Sequence, residues 1–146
     1  MSHLDELYQA VIVDHDRAPR HHGPLPGATH TAIADNPLCG DVITLHLRLE
    51  AGVIRDISFE GRGCSLSRAA ASILTTLLVG RDLAAARALS AAFSAFVHSA
   101  PDTPPPTTPP LGDLAAFSGV RRFRSRRACA TLPLQALAAA TTSIET

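Results

Sequence analysis

The sequence is short of several residue types, and each shortage argues against a class of protein. Its 146 residues include no tryptophan, no lysine, one tyrosine and five phenylalanines, and its thirteen arginines balance thirteen acidic residues. A neutral chain with so few aromatic side chains lacks the usual features of a nucleic-acid-binding protein. No stretch approaches the roughly 20 apolar residues that cross a bilayer, so we expect no membrane-spanning segment.

Cysteine is scarce as well, and its count is odd. The three cysteines, Cys39, Cys64 and Cys129, cannot all pair in internal disulfides. The acidic start of the chain does not resemble a secretory signal peptide. Thiols in such a chain are typical of the reducing cytosol, where cysteine clusters bind metal or react more often than they crosslink. We therefore expect a cytoplasmic protein.

The pattern of apolar residues predicts an α+β fold. Apolar residues at helical spacing predict a first helix, and two runs with period-2 alternation around Glu50-Ala51-Gly52 predict a β-hairpin. A later helix has Ser65 or Ser67 as its expected cap. The predicted strands are 31–34, 42–49 and 53–59. The predicted helices are 4–16, a helix that starts at the Ser65 or Ser67 cap and continues through 69–78, and then 83–97, 111–117 and 132–140. This order predicts a three-stranded antiparallel sheet with one polar face and several helices packed on the other.

Two further expectations concern the organisation of the chain. Its length fits a single domain, residues 1–146, with a core large enough to fold without disulfides. Residues 99–110 are rich in proline, and proline excludes both helix and central strand. We expect this segment to form an extended, solvated loop.

Three cysteines and one aspartate form the most informative pattern. Cys39 and Asp41 precede a predicted strand, Cys64 follows the next strand, and Cys129 lies near the last predicted helix. A hairpin would bring Cys39 and Cys64 to the same end of the sheet, and the last helix could bring Cys129 there. Three thiolates and one carboxylate suit tetrahedral Zn²⁺, and thiolates also suit iron–sulfur clusters or Cu(I).

Spacing alone leaves a plainer interpretation equally open, in which the cysteines are small buried apolar residues. Two local details favour a metal site. Gly61 and Gly63 leave room for close approach around Cys64. The predicted helix that follows would direct its N–H groups and the positive end of its dipole at the sulfur.

Four ordered motifs resemble the IscU/NifU/SufU family of iron–sulfur cluster assembly proteins. The motifs run from the first helix to the last and include all three cysteines. Ala128 stands where the IscU-like branch has a histidine, and the long stretch between the second and third cysteines resembles the SufU branch. The matching segments are Leu7-Tyr8 with Asp14-His15 and Pro19-Arg20, Asn36-Pro37-Leu38-Cys39-Gly40-Asp41, Phe59-Glu60-Gly61-Arg62-Gly63-Cys64-Ser65, and Leu111-Gly112-Asp113-Leu114 with Cys129-Ala130-Thr131-Leu132.

The resemblance to the SufU branch implies a cofactor and partners. It implies a zinc ion bound by Cys39, Asp41, Cys64 and Cys129. It also implies a partner, a pyridoxal-phosphate cysteine desulfurase of the SufS type that passes on its persulfide sulfur, with Suf scaffold proteins further along. Arg126 is the basic residue that the resemblance assigns to partner docking.

These implications favour a zinc-dependent sulfur acceptor and activator of the desulfurase over a stand-alone enzyme. Cys39 is our hypothesis for the sulfur-accepting residue, because a loop cysteine beside Gly40 can move further than one at a helix start. A scaffold on which an iron–sulfur cluster is assembled remains the alternative, since the same three thiolates would serve. An independent thiol enzyme using Cys64 would need a histidine base, and no sequence feature places one near it.

Two groups of charged or titratable residues have weaker expectations. Five arginines lie within seven residues beside Cys129. They could form a docking patch for an acidic partner, but for most of them we expect a solvated loop. Three histidines are expected at caps, in turns or in solvent rather than as metal ligands. The arginines are Arg121, Arg122, Arg124, Arg126 and Arg127, and the histidines are His15, His21 and His22.

Overall fold

The computed structural model describes residues 3–38 and 40–142, and its elements follow the predicted order. Five helices and a three-stranded sheet make up this part of the chain. The elements are α1 (His3–Arg17), β1 (His30–Asn36), β2 (Asp41–Glu50), β3 (Val53–Arg62), α2 (Ser65–Leu78), α3 (Leu83–Val97), a 3-10 helix (Gly112–Arg122) and α4 (Arg124–Thr141).

The sheet is three-stranded and antiparallel, as predicted, and its strand order is β1-β2-β3. The β2–β3 connection is a two-residue turn in which Ala51 and Gly52 both have positive φ angles, 52° and 77°. This conformation is typical of tight hairpins, because its twist matches that of the strands. Along β2 the side chains alternate, and every second residue from Ile43 to Leu47 is fully buried.

The opposite face of the sheet is polar, which confirms the second part of the prediction. His46 on β2 contacts Glu60 on β3 at 2.8 Å and Thr31 on β1 at 3.0 Å. Arg48 forms an ion pair with Asp56 at 2.8 Å. These cross-strand pairs fix the register and leave one face for the core.

The helices form two layers over the apolar face. α4 packs against β1 and β2, and α2 packs against β3. α1, α3 and the 3-10 helix pack on those two helices. Within residues 3–38 and 40–142, no helix is both long and apolar enough to cross a membrane.

Two helices near the end of the chain differ from their predicted bounds. The predicted helix 111–117 is a longer 3-10 helix, and α4 begins at Arg124 instead of Leu132. The arginine run is therefore not a loop, because it forms the end of one helix and the first turn of the next. α4 continues through Pro133, which lies in its interior.

Arg121 is an exception to the solvated loop expected for most of the five arginines, because it is only 8% exposed. Its guanidinium donates to Ser99 Oγ and to the carbonyls of Ala100, Pro101, Thr103 and Ser118, and it stacks 4.5 Å from the centroid of the Phe96 ring. The proline-rich segment contains neither helix nor strand and is largely exposed, as predicted. Its first residues are nevertheless attached to the core through Arg121.

Candidate metal centre

The sheet register places two of the predicted site residues side by side. Asp41 is the first residue of β2 and is fully buried. Its neighbour Val42 pairs with Arg62 at the end of β3, so the chain passes beside Asp41 as it leaves the sheet. The backbone N–H of Cys64 donates to Asp41 Oδ1 at 2.7 Å.

This close approach depends on Gly63. Its φ of 112° lies in the region that favours glycine. A Cβ at this position would lie 2.8 Å from the Asp41 Cα, which is closer than real Cβ contacts. The predicted need for room around Cys64 therefore has a specific cause at residue 63.

Cys64 itself is the N-cap of α2, which corrects the prediction that Ser65 or Ser67 would cap this helix. Its Sγ accepts a hydrogen bond from the Leu66 N–H at 3.2 Å. Ser67 lies inside the first turn, where its hydroxyl donates to the Cys64 carbonyl at 3.1 Å. The sequence reasoning missed the cap because cysteine is not among the preferred N-cap residues, although its sulfur can accept the bond.

Cys129 comes to the same place from the second turn of α4 and is 6% exposed. One ligand atom from each of Asp41, Cys64 and Cys129 lies within 4.8 Å of the others. Both described cysteines are free thiols. The predicted convergence of β2, the end of β3 and the last helix is thus observed for these three residues.

Burial raises the pKa of the Cys129 thiol, because a thiolate there would be desolvated without compensation. Hydrogen bonds to Asp41 and Cys64 and the negative charge of these neighbours raise the pKa further. A thiolate at Cys129 is therefore disfavoured in these surroundings. A bound cation reverses this preference, since it stabilises thiolates directly.

The donor set and its spacing fit a small cation. Ligand atoms about 2.3 Å from a tetrahedral centre lie about 3.8 Å apart, which is compatible with the observed cluster. Two thiols and a carboxylate leave one position of a tetrahedron, and Cys39 lies two residues before Asp41. Cys39 itself is outside the described residues.

Apolar and basic side chains lie close in sequence to the site residues. Leu38, next to Cys39 in sequence, is 96% exposed on a turn in which the Asn36 side chain accepts from its N–H at 3.1 Å. Arg126, one turn before Cys129, is exposed and stacks 4.4 Å from the centroid of the Phe123 ring. Arg68 on α2 pairs with Asp16 of α1 at 3.5 Å.

None of the three histidines belongs to the ligand group found within residues 3–38 and 40–142. His21 and His22 are both exposed, as predicted, with His21 in a turn and His22 in an isolated bridge to Phe59. The prediction for His15 is wrong, because it is 5% exposed inside α1 and its Nδ1 lies 2.7 Å from Ser72 Oγ on α2. Burial and the nearby positive charge of Arg20 lower its pKa.

Comparison with known proteins gives consistent matches along almost the whole chain. Residues 7–130 match the family described as NifU-like N terminal domain. The iron–sulfur cluster assembly scaffold protein IscU of Streptococcus pyogenes serotype M1 is 38% identical over 137 residues, covering 94% of this chain and 84% of that protein. The zinc-dependent sulfurtransferase SufU of Bacillus subtilis strain 168 is 38% identical over 136 residues, covering 93% of this chain and 90% of that protein.

A solved structure extends this similarity to the fold. The crystal structure of an iron–sulfur cluster assembly scaffold protein for the SUF system, from Fervidobacterium islandicum AW-1, superposes with a TM-score of 0.82 at 25% identity. The match covers 96% of this chain and 98% of that one. The same arrangement of sheet and helices is therefore present in both.

Proposed function

The chain belongs to the NifU-like N-terminal domain family, and on this premise we propose that it is a SufU-type protein of iron–sulfur cluster assembly. It binds Zn²⁺ through Cys39, Asp41, Cys64 and Cys129 and accepts persulfide sulfur from a cysteine desulfurase. The observation that carries this proposal is the convergence of Asp41, Cys64 and Cys129 within 4.8 Å.

The chemistry of the site supports zinc as the occupant. Thiolate sulfur and carboxylate oxygen are normal zinc ligands, and a bound zinc ion keeps thiolates deprotonated at neutral pH while damping their nucleophilicity. The name of the SufU relative supports the same metal, since that protein is a zinc-dependent sulfurtransferase.

Within this set, Cys39 is the residue that we assign to sulfur transfer. The Leu66 N–H holds Cys64 at the start of α2, and Cys129 is buried in α4. In the sequence, Cys39 follows Leu38, which is exposed, and precedes Gly40. Its thiolate attacks the terminal sulfur of the enzyme's cysteine persulfide, a new S–S bond forms, the old one breaks, and the desulfurase cysteine leaves as a thiolate.

The role implies a cysteine desulfurase as partner, and we propose one of the SufS type, with Suf scaffold proteins downstream. Leu38, Phe123 and Arg126 are exposed and close in sequence to Cys39 or Cys129, and they offer apolar and basic contacts for such a partner. We place the protein in the cytosol, where the thiols that the site needs stay reduced. We also propose one domain for residues 1–146, because strands and helices contribute to one cluster of buried apolar side chains.

Metal analysis of anaerobically purified protein tests the proposal, together with desulfurase turnover in the presence of cysteine. We expect about one zinc per chain, no visible chromophore and faster turnover when the protein is added. Cys39→Ala should abolish both the activation and the transfer of persulfide to this chain. Full activation and persulfide transfer with Cys39→Ala would show that another cysteine accepts the sulfur.

A second function is supported by the name of the Streptococcus relative, which is an iron–sulfur cluster assembly scaffold protein. Thiolates of the same cluster can hold iron as well as zinc. In that case the anaerobically purified protein is brown, contains iron and transfers its chromophore to an apo-protein. This result would replace the sulfur-acceptor proposal with the scaffold.

A further inference from the structure

We infer that Gly63 and the backbone N–H of Cys64 form a positioning device that fixes Asp41 as a metal ligand through one carboxylate oxygen. The inference rests on the proposed metal site, because Asp41 and Cys64 are two of its ligands. The inference gives the peptide between residues 63 and 64 an indirect role, in which it positions the Asp41 carboxylate and is not itself a metal ligand.

The first part of the device is a hydrogen bond to a buried carboxylate. The Cys64 N–H donates to Asp41 Oδ1 at 2.7 Å, and Asp41 is 0% exposed, so bulk water does not compete for this oxygen. Hydrogen bonds to ionised carboxylates are shorter and stronger than neutral ones. This bond fixes the orientation of the carboxylate, and we assign metal binding to its other oxygen.

The second part is the absence of a side chain at residue 63. A Cβ there would meet Asp41 Oδ1 and would lie 2.8 Å from the Asp41 Cα and 3.1 Å from its Cγ. The Cα is backbone and cannot move aside as a flexible side chain would. Any other residue at this position must push the peptide away from Asp41 or push the carboxylate away from the cluster.

The third part links Asp41 to the sulfur of Cys64. The same residue that donates to Asp41 through its N–H carries a ligand sulfur held by the Leu66 N–H at 3.2 Å. Asp41 and Cys64 thus form a rigid half of the site at the junction of β2, β3 and α2. Substitution at Gly63 should change how the carboxylate binds metal while all the cysteines remain present.

Binding of Co²⁺ to the metal-free full chain tests this role, because cobalt absorption reports both coordination geometry and thiolate ligands. For Gly63→Ala we expect at least tenfold weaker Co²⁺ binding and altered ligand-field bands, with the thiolate-to-cobalt charge-transfer band retained. Gly23→Ala is the matched control. Gly23 has a similar φ of 124°, but a Cβ there meets nothing within 4 Å, so this variant carries the backbone strain without the contact. We expect it to bind Co²⁺ within twofold of the unmodified protein.

Equal affinity and equal ligand-field bands in Gly63→Ala and the unmodified chain would overturn the inference. Should Gly63→Ala fail to fold, hydrogen exchange at the Cys64 amide replaces it. We expect Asp41→Ala to accelerate this exchange at least tenfold, and an unchanged rate would equally refute the device. A chain that shows these effects but does not activate a desulfurase refutes the proposed function and leaves the positioning role intact.

Discussion

Cys64 has two roles that one pair of substitutions can separate. It caps α2 through its sulfur and is one of the proposed metal ligands. Serine is a preferred N-cap residue, whereas its un-ionised hydroxyl is a poor zinc ligand. For Cys64→Ser we therefore expect loss of bound zinc, measured by metal analysis, with the unfolding free energy of the metal-free chain unchanged.

Cys64→Ala is the matched comparison because it removes the cap as well as the ligand. Urea unfolding of the metal-free chains should find it about 1 kcal/mol less stable than Cys64→Ser. Equal stability of the two variants would mean that the sulfur does not act as a cap. Zinc retained at full occupancy by Cys64→Ser would mean that this residue is not a ligand.

The sequence indicated which residues come together at the site but not how they are held. The proximity of Asp41 and Cys64 could be predicted from the sequence, because a hairpin returns the chain to the same end of the sheet. The hydrogen bond from the Cys64 N–H to Asp41 could not be predicted, since it depends on the backbone angles of Gly63. The burial of His15 was missed for a similar reason, because its partner Ser72 lies 57 residues away in sequence.

At the scale of elements, predictions succeeded where one local signal dominated. α3 has the predicted bounds, Leu83–Val97, and Asp82 caps it through a bond to the Ala85 N–H. α4 was predicted eight residues too short at its start. Proline is common in the first turn of a helix and costly inside one, so Pro133 disfavours a helix that begins as early as Arg124. Packing of α4 against β1 and β2 overrides that preference.

Arg121 holds the start of the proline-rich segment, residues 99–110, against the rest of the fold, and this anchoring role can be tested. Its guanidinium donates to Ser99 Oγ and to carbonyls at residues 100, 101 and 103. Removing the donor leaves part-buried acceptors without these bonds, which is costly. For Arg121→Ala we expect a loss of about 2–4 kcal/mol in the free energy of unfolding, with faster proteolysis within residues 99–110.

Arg122→Ala is the control for charge, since Arg122 is the adjacent residue and is exposed. Its effect on the free energy of unfolding should stay within about 0.5 kcal/mol. Arg121→Lys tests whether the planar arrangement of the guanidinium donors matters, because an ammonium group cannot reproduce it. If Arg121→Ala and Arg122→Ala unfold at the same urea concentration, the anchoring role of Arg121 is wrong.

At the scale of the whole molecule, a buried histidine joins the outer helix α1 to the helix that begins at the metal centre. His15 on α1 contacts the Ser72 hydroxyl on α2, and the same hydroxyl accepts from the Arg20 N–H at 2.8 Å. Three charged groups act on His15. They are Asp14 in α1, Arg20 just after α1, and Asp113 in the 3-10 helix. Burial and Arg20 together outweigh the two carboxylates, so the folded chain favours neutral His15.

This preference predicts how stability depends on pH. The pKa of His15 in the folded chain is below the value of about 6.5 in the unfolded chain. Well above pH 6.5 both states are neutral and the contribution is complete. As the pH falls through 6.5, the unfolded chain takes up the proton first, and the free energy of unfolding decreases.

In His15→Asn, whose amide oxygen can accept from Ser72 without titrating, we expect a smaller decrease in the free energy of unfolding between pH 7.5 and 5.5. Urea unfolding across this range measures the decrease, and His98→Asn is the control for replacing an exposed histidine. Identical slopes for His15→Asn and the unmodified chain would show that His15 does not set this pH dependence.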